Sequence, residues 1–256
     1  RSVFRLRPGR GNELMSAPIL SVSDMTARYG AAQILFGIDI DLDAGEVVAL
    51  MGRNGAGKST SLKAIMGLLE HRTGKTTFLG EDISSMRSYE IARRGLGFVP
   101  EDRRIFSDLT VIENLEVGRQ PPRQSKDGRA IEPWTPERLF ALFPNLAEAR
   151  NREAGRMSGG EQQMLTVART LMGNPYAILL DEPSEGVAPV IVEAMADMIV
   201  ALKANSVSIL LCEQNLAFAA LVADRAYVLD RGEIRFSGPL PELRANEEIR
   251  RAYLEV

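Results

Sequence analysis

A chain of 256 residues, 45% apolar and 25% charged, is long enough to bury a large core and has the make-up of an ordinary globular protein. Its net charge of −3 lacks the basic excess that usually accompanies nucleic-acid binding, so no nucleic-acid partner is expected. The single histidine, His71, disfavours Ser-His-Asp chemistry and His-rich metal centres, and the single cysteine, Cys212, excludes an internal disulfide and fits a reducing compartment.

Residues 1–14 are rich in Arg and Gly and without periodicity, and Met15-Ser-Ala-Pro reads as a more natural start, so 1–14 is expected to be an upstream segment, disordered in isolation. Ile19 to Met25 alternates apolar and polar residues, as does Ile38 to Asp43, with Ile38, Ile40 and Leu42 on one face. With Thr76–Leu79 these strands suggest an antiparallel sheet, and Tyr29-Gly30 marks a turn between the first two. Glu46 to Met51 is a short apolar run that suits a buried parallel strand. It leads into Gly52-Arg-Asn-Gly-Ala-Gly-Lys-Ser-Thr60, and Leu62, Ile65, Met66 and Leu69 then fall at helical spacing. His71, before Arg72-Thr-Gly74, reads as a solvent-facing loop residue.

From about Met86 to Gly160 the pattern becomes mostly helical, with helices expected from Val111 and over Pro136–Phe143, the latter stopped by Pro144. Gln120 to Gly128 is a loop by composition. After Met157-Ser-Gly-Gly-Glu-Gln-Gln-Met164, a helix through Leu165, Ala168, Leu171 and Met172 ends at Gly173-Asn-Pro175. The apolar run Ala177–Leu180 ends at Asp181-Glu182-Pro183, Ile191 to Leu202 has helical spacing, and a second buried run ends at Cys212. Residues 226–236 read as a hairpin turning at Arg231-Gly232. Alternating strands and helices predict an α/β fold, a mostly parallel sheet with helices on both faces.

The nine residues from Gly52 have the spacing of a phosphate-binding loop. Gly52, Gly55 and Gly57 let the backbone, with Asn54 and Ala56, turn its N–H groups inward around phosphates. Lys58 supplies a point charge for the β- and γ-phosphates, Ser59 is placed to ligate Mg²⁺, and with Thr60 it opens a helix whose N-terminus attracts anions. This pattern predicts binding of a nucleoside triphosphate. Asp181 and Glu182 close an apolar strand, where open α/β sheets place ligands. Asp181 would orient the Mg²⁺ shell and Glu182 would polarise the attacking water. Ser158-Gly159-Gly160 is a second glycine turn; by itself it reads as a helix N-cap, and it could also hold an anion.

The order of phosphate loop, Ser-Gly-Gly-Glu-Gln, apolar strand and Asp-Glu-Pro resembles the nucleotide-binding subunits of ATP-binding-cassette transporters, over the chain from about Pro18. Met157 to Gln163 looks like their signature motif, with Met157 where leucine is commoner. The resemblance implies a P-loop nucleotide-binding core with an antiparallel β subdomain and a helical subdomain, the cassette spanning 15–256, its core 15–86 and 161–256 and its helical part about 87–160. It implies that two cassettes, identical or paralogous, dimerise head to tail, with ATP between the Lys58 loop of one and the Ser158-Gly159-Gly160 turn of the other. Tyr29 is similar to the aromatic that stacks on adenine, unless it is a buried turn residue.

Three departures from the family pattern stand out. Glu101 replaces a glutamine that approaches Mg²⁺; Gln214 stands where a switch histidine is usual, able to donate to the γ-phosphate without titrating near neutral pH. The loop after Glu182 is Ser184-Glu-Gly-Val-Ala-Pro189, where Ser-Ala-Leu-Asp is commoner. Together they resemble the ATPase subunits of bacterial branched-chain amino-acid importers, with urea and short-amide importers as close relatives. The implied setting is the cytoplasmic face of the inner membrane, beside transmembrane permease subunits and, indirectly, a periplasmic solute-binding protein. A soluble cassette ATPase acting on DNA or ribosomes is a less favoured alternative, since no coiled-coil insertion, zinc-binding cysteines or second cassette is present.

Overall fold

The computed structural model describes residues 17–124, 128 and 130–254, so the expectations for residues 1–14 and Met15, and for part of the 120–128 loop, lie outside the described residues. In chain order the elements are β1 (Leu20–Tyr29), β2 (Ala32–Leu42), β3 (Val47–Met51), α1 (Lys58–Ile65), β4 (His71–Phe78), β5 (Glu81–Asp82), α2 (Ser88–Arg93), β6 (Leu96–Val99) and α3 (Val111–Gly118). They continue with α4 (Pro136–Leu142), α5 (Pro144–Glu148), α6 (Gly159–Leu171), β7 (Ala177–Asp181), α7 (Pro189–Ala204), β8 (Ser208–Glu213), α8 (Leu216–Val222), β9 (Arg225–Asp230), β10 (Glu233–Pro239), α9 (Leu240–Ala245) and α10 (Glu247–Tyr253).

One sheet has the order β10-β9-β3-β8-β7-β6, and its strands are parallel except for the β9–β10 hairpin. Val47–Met51, Ala177–Asp181 and Ser208–Glu213 are buried throughout, which is why they read as unbroken apolar runs rather than alternations. The second sheet, β2-β1-β4-β5, is antiparallel. Its strands alternate because one face packs inward with Val22, Met25, Ile38, Ile40 and Phe78 while the other meets water.

The sheets are clamped together at two places. At the tip of the β9–β10 hairpin the Gly232 N–H donates to Ala56 O (2.9 Å), and Phe36 N donates to Gly232 O (3.0 Å). Gly232 has φ +76, and a Cβ there would lie 1.8 Å from Ile34 O, so no side chain fits. On the opposite side, the Arg225 guanidinium donates to Glu46 Oε1 (2.6 Å), Asp41 Oδ2 (2.9 Å) and Tyr227 Oη (3.0 Å). Burial works against that charge, and the acceptors of Glu46 and Asp41 outweigh it, so Arg225 is held more firmly protonated than a free arginine.

Three expectations need correction. Residues 96–99, inside the stretch expected to be helical, form β6 and pair with β7, so the parallel sheet takes a strand from that stretch. Pro144 ends α4 but also opens α5, the N-terminal position where proline's missing N–H costs nothing. His71 lies in β4 opposite Arg28 and is half-buried, because the strand extends past the alternating segment that betrays it.

The helical region is built around α3 and α6. Thr110 and Glu113 form a capping box, and Asn114, with no exposure, holds both Phe106 N and Phe106 O. Gly118 meets α6 so closely that a Cβ would stand 2.2 Å from Arg169 O.

Candidate functional site

Parallel strands send their C-terminal ends to one edge, and the register decides which residues meet there. Met51 is level with Glu213, Asp181 with Cys212, and Val99 with Leu180. The phosphate loop after β3, Gln214 after β8, Asp181-Glu182 at β7 and Glu101 after β6 therefore converge on a single rim. The sequence places these groups far apart, and the strand order β3-β8-β7-β6 brings them together.

The loop is fitted closely to its surroundings. Gly52 lies under Leu229 O, where a Cβ would approach to 2.4 Å, and Gly57 takes φ +112 between Leu35 and Leu229. Arg53, Asn54 and Gly55 face solvent. Lys58 is only 3% exposed. Its Nζ donates to Gly52 O (2.8 Å) and Arg53 O (3.2 Å) and pairs with Glu182 Oε1 at 3.0 Å. An ammonium has three donors, so without nucleotide the chain itself saturates Lys58.

Ser59 Oγ donates to Asp181 Oδ1 (2.8 Å), which draws the two expected Mg²⁺ ligands together. Hydroxyl and carboxylate are hard oxygen donors, and Mg²⁺ is ordinarily held by one or two protein oxygens, phosphates and water, so the pair fits that ion. Burial, with the negative charge of Glu182 adding to it, pushes the Asp181 carboxyl up to about 6 against the Ser59 hydrogen bond. A buried carboxyl that awaits positive charge is what a metal ligand needs. Glu101 is exposed, and its charge is felt by both Asp181 and Glu185.

Glu182 adopts φ +47, a left-handed turn that swings its side chain off the strand end towards Lys58. Burial alone would raise its carboxyl, but hydrogen bonds from Glu185 and Lys58 and the charge of Lys58 hold it below the ordinary range. Glu185 was not singled out by the sequence reading. Hydrogen bonding to Glu182, with burial adding to it, lifts its carboxyl to about 7. Glu213, 2% exposed, accepts from Ser184 N (3.2 Å) and Asn215 N (3.3 Å) and joins the loops after β7 and β8. An acidic residue ending an unbroken apolar strand was the sequence signal for it. Gln214 is half-buried at the same rim.

Ser158 caps α6: its Oγ accepts from Glu161 N (3.3 Å), and Glu161 Oε2 accepts from Ser158 N (2.7 Å). Ser158 is exposed, and among the described residues no hydrogen bond or ion pair joins Ser158, Gly159 or Gly160 to the Lys58 loop. Tyr29 is 47% exposed at the β1–β2 turn, so it is not a buried turn tyrosine.

A phosphate loop at the C-terminal rim of a parallel sheet, with a carboxylate pair at the end of β7, the second strand along beyond β8, defines a P-loop ATPase. Residues 35–185 match the family model described as ABC transporter, and the chain belongs to that family as an ATP-hydrolysing cassette. It is 40% identical over 236 residues to the high-affinity branched-chain amino acid transport ATP-binding protein BraG of Pseudomonas aeruginosa, covering 92% of this chain and 99% of that protein. It is 32% identical to the lipopolysaccharide export system ATP-binding protein LptB of Haemophilus influenzae, covering 92% and 97%. Among solved structures it resembles a nucleotide-free ATP-binding cassette from an ABC transporter, with TM-score 0.76 and 27% identity over 91% of this chain and 97% of that one.

Proposed function

We propose that this cassette powers uptake of branched-chain or chemically related amino acids as one ATPase subunit of a membrane importer. ATP, with Mg²⁺ held by Ser59 and Asp181 and approached by Glu101, closes two cassettes head to tail; hydrolysis reopens them. Lys58 holds the terminal phosphates, Glu182 orients the attacking water once the phosphates have taken its lysine, and Gln214 donates to the γ-phosphate. Tyr29 stacks on the adenine, and Ser158-Gly159-Gly160 of the facing cassette closes the site. The observation that carries the substrate class is the 40% identity to BraG along nearly the whole of both chains.

The transmembrane permease subunits would dock in the groove of about 400 Å³ between α2, β6, α3 and α6, whose rim exposes Phe106 and Val117. Among the described residues no helix is long and apolar enough to cross a membrane, so force must pass through such a contact. The identity to LptB supports a second reading, an export system, because cargo never touches this subunit. Purification of the cassette with its membrane partners from native membranes tests both. Recovery of a permease and a solute-binding protein for amino acids is expected; recovery of a lipid-export or urea-import permease would overturn the substrate assignment.

A further inference from the structure

The loop after β6 carries a cation with no assigned work. Arg103 and Arg104 are consecutive residues with positive φ, +62 and +50. Helix α6 fixes both: Thr166 Oγ1 donates to Arg103 O (2.7 Å), and Arg169 Nη2 donates to Arg104 O (2.7 Å). From that anchor the Arg103 side chain runs back along α6 to its first turn, where the guanidinium covers Gly159. A Cβ on Gly159 would lie 2.7 Å from Arg103 Nη1 and 3.2 Å from Nη2.

The surrounding arginines have carboxylate partners: Arg104 with Asp102 at 2.9 Å, Arg156 with Glu153 at 2.9 Å and Arg152 with Glu161 at 3.8 Å. Among the described residues the Arg103 guanidinium has no carboxylate or hydrogen-bond acceptor, and the nearby Glu161 carboxylate is engaged by Ser158 N and Arg152. A positive group therefore lies against the positive end of a helix of 13 residues, where two like electrostatic features repel. An arriving anion would turn that arrangement from unfavourable to favourable, and a planar guanidinium beside free N–H groups suits phosphate oxygens.

We propose that Arg103 is a phosphate-binding residue acting in trans: with the Ser158-Gly159-Gly160 turn it grips the terminal phosphate held by the Lys58 loop of the facing cassette. This rests on the head-to-tail dimer proposed above. Arg103 supplies a second cation across the interface, opposite Lys58, and stabilises charge on the phosphoryl group as it leaves ADP. It also makes dimer closure sensitive to the triphosphate, because ADP leaves the guanidinium as it is in the empty cassette.

The test uses the full chain in a Glu182→Gln background, in which ATP traps the dimer, with ATP binding to the separate cassette measured alongside. Arg103→Ala is expected to leave that first binding step unchanged and to raise the ATP concentration needed for the trapped dimer about 10- to 100-fold, with partial recovery in Arg103→Lys. Mixing Arg103→Ala with Lys58→Ala is expected to restore a dimer that traps one nucleotide, since the intact Arg103 then faces the intact loop. Trapping by Arg103→Ala equal to its parent, while Ser158→Ala fails to trap, would overturn the proposal and leave the head-to-tail reading standing. Failure of the mixture to trap would place Arg103 on its own cassette's site and overturn it as well. Normal trapping by Ser158→Ala would instead refute the head-to-tail reading itself.

Discussion

Asp181→Asn should make the nucleotide-free protein more stable while disabling it. Asp181 is 1% exposed, and the Ser59 Oγ that donates to it at 2.8 Å can donate equally to an amide oxygen. Because burial lifts the carboxyl from 3.8 to about 6, the fold disfavours the ionised form, and that difference corresponds to about 3 kcal/mol. For a carboxyl raised in the fold the penalty is absent well below pH 4, grows between about pH 4 and 6, and is fully present above. Chemical denaturation in EDTA should therefore show Asp181→Asn more stable than the parent by about 3 kcal/mol at pH 8, a gain narrowing to about 1 kcal/mol near pH 4.5. For a chain of this length the pH 8 difference amounts to a Tm rise of about 6–12 °C. With Mg²⁺ and ATP the parent should gain stability and the variant much less, and Mg²⁺-dependent hydrolysis should fall about 100-fold or more. Equal stability of the two proteins at pH 8, or a gain that persists unchanged at pH 4.5, would refute the assignment of Asp181 as a carboxylate held in reserve for a cation.

Further expectations can be checked with the same protein. Glu182→Gln should bind ATP yet turn it over at least about 100-fold more slowly, and should accumulate an ATP-bound dimer on size exclusion; undiminished turnover would remove Glu182 from the chemistry. Gln214→Ala should slow hydrolysis by about tenfold, the loss of one hydrogen bond to a charged group, and the parent's rate should show no pH step from a switch histidine. An unchanged rate in the variant would undercut that role. Gly232→Ala should destabilise the fold by about 2–4 kcal/mol in urea titration, since its Cβ collides with Ile34 O and the residue has φ +76. A change below about 0.5 kcal/mol would mean that the hairpin tip shifts freely and does not clamp the loop.

What the sequence conveyed depended on the physical range of each signal. Buried parallel strands such as β3, β7 and β8 were legible because burial on both faces demands unbroken apolar runs. The phosphate loop was legible because its chemistry resides in consecutive residues. Strand β6 was hidden: Leu96-Gly-Phe-Val99 is short, contains a glycine, and owes its strand to pairing with β7, a partner about 80 residues away in sequence. Glu185 was hidden for a different reason. Its importance comes from a left-handed turn at Glu182 that folds two carboxyls together, and no residue pattern announces such a turn at a glutamate. The role proposed for Arg103 was not legible because it depends on contact with Gly159, far along the chain.

The saturated state of Lys58 has a consequence for which anions this protein accepts. A carboxylate tethered to the same molecule competes for the ammonium at a high effective concentration, of the order of millimolar or more. An incoming anion must bring enough additional contacts to outbid that internal rival, which a triphosphate enclosed by a whole turn of backbone does and a lone inorganic phosphate does not. On this reasoning the cassette should discriminate against small anions. Isothermal titration with phosphate should show binding weaker than that of ATP by several orders of magnitude, and a Glu182→Gln variant should narrow the gap; an unchanged gap would mean that the tethered carboxylate is not the gatekeeper.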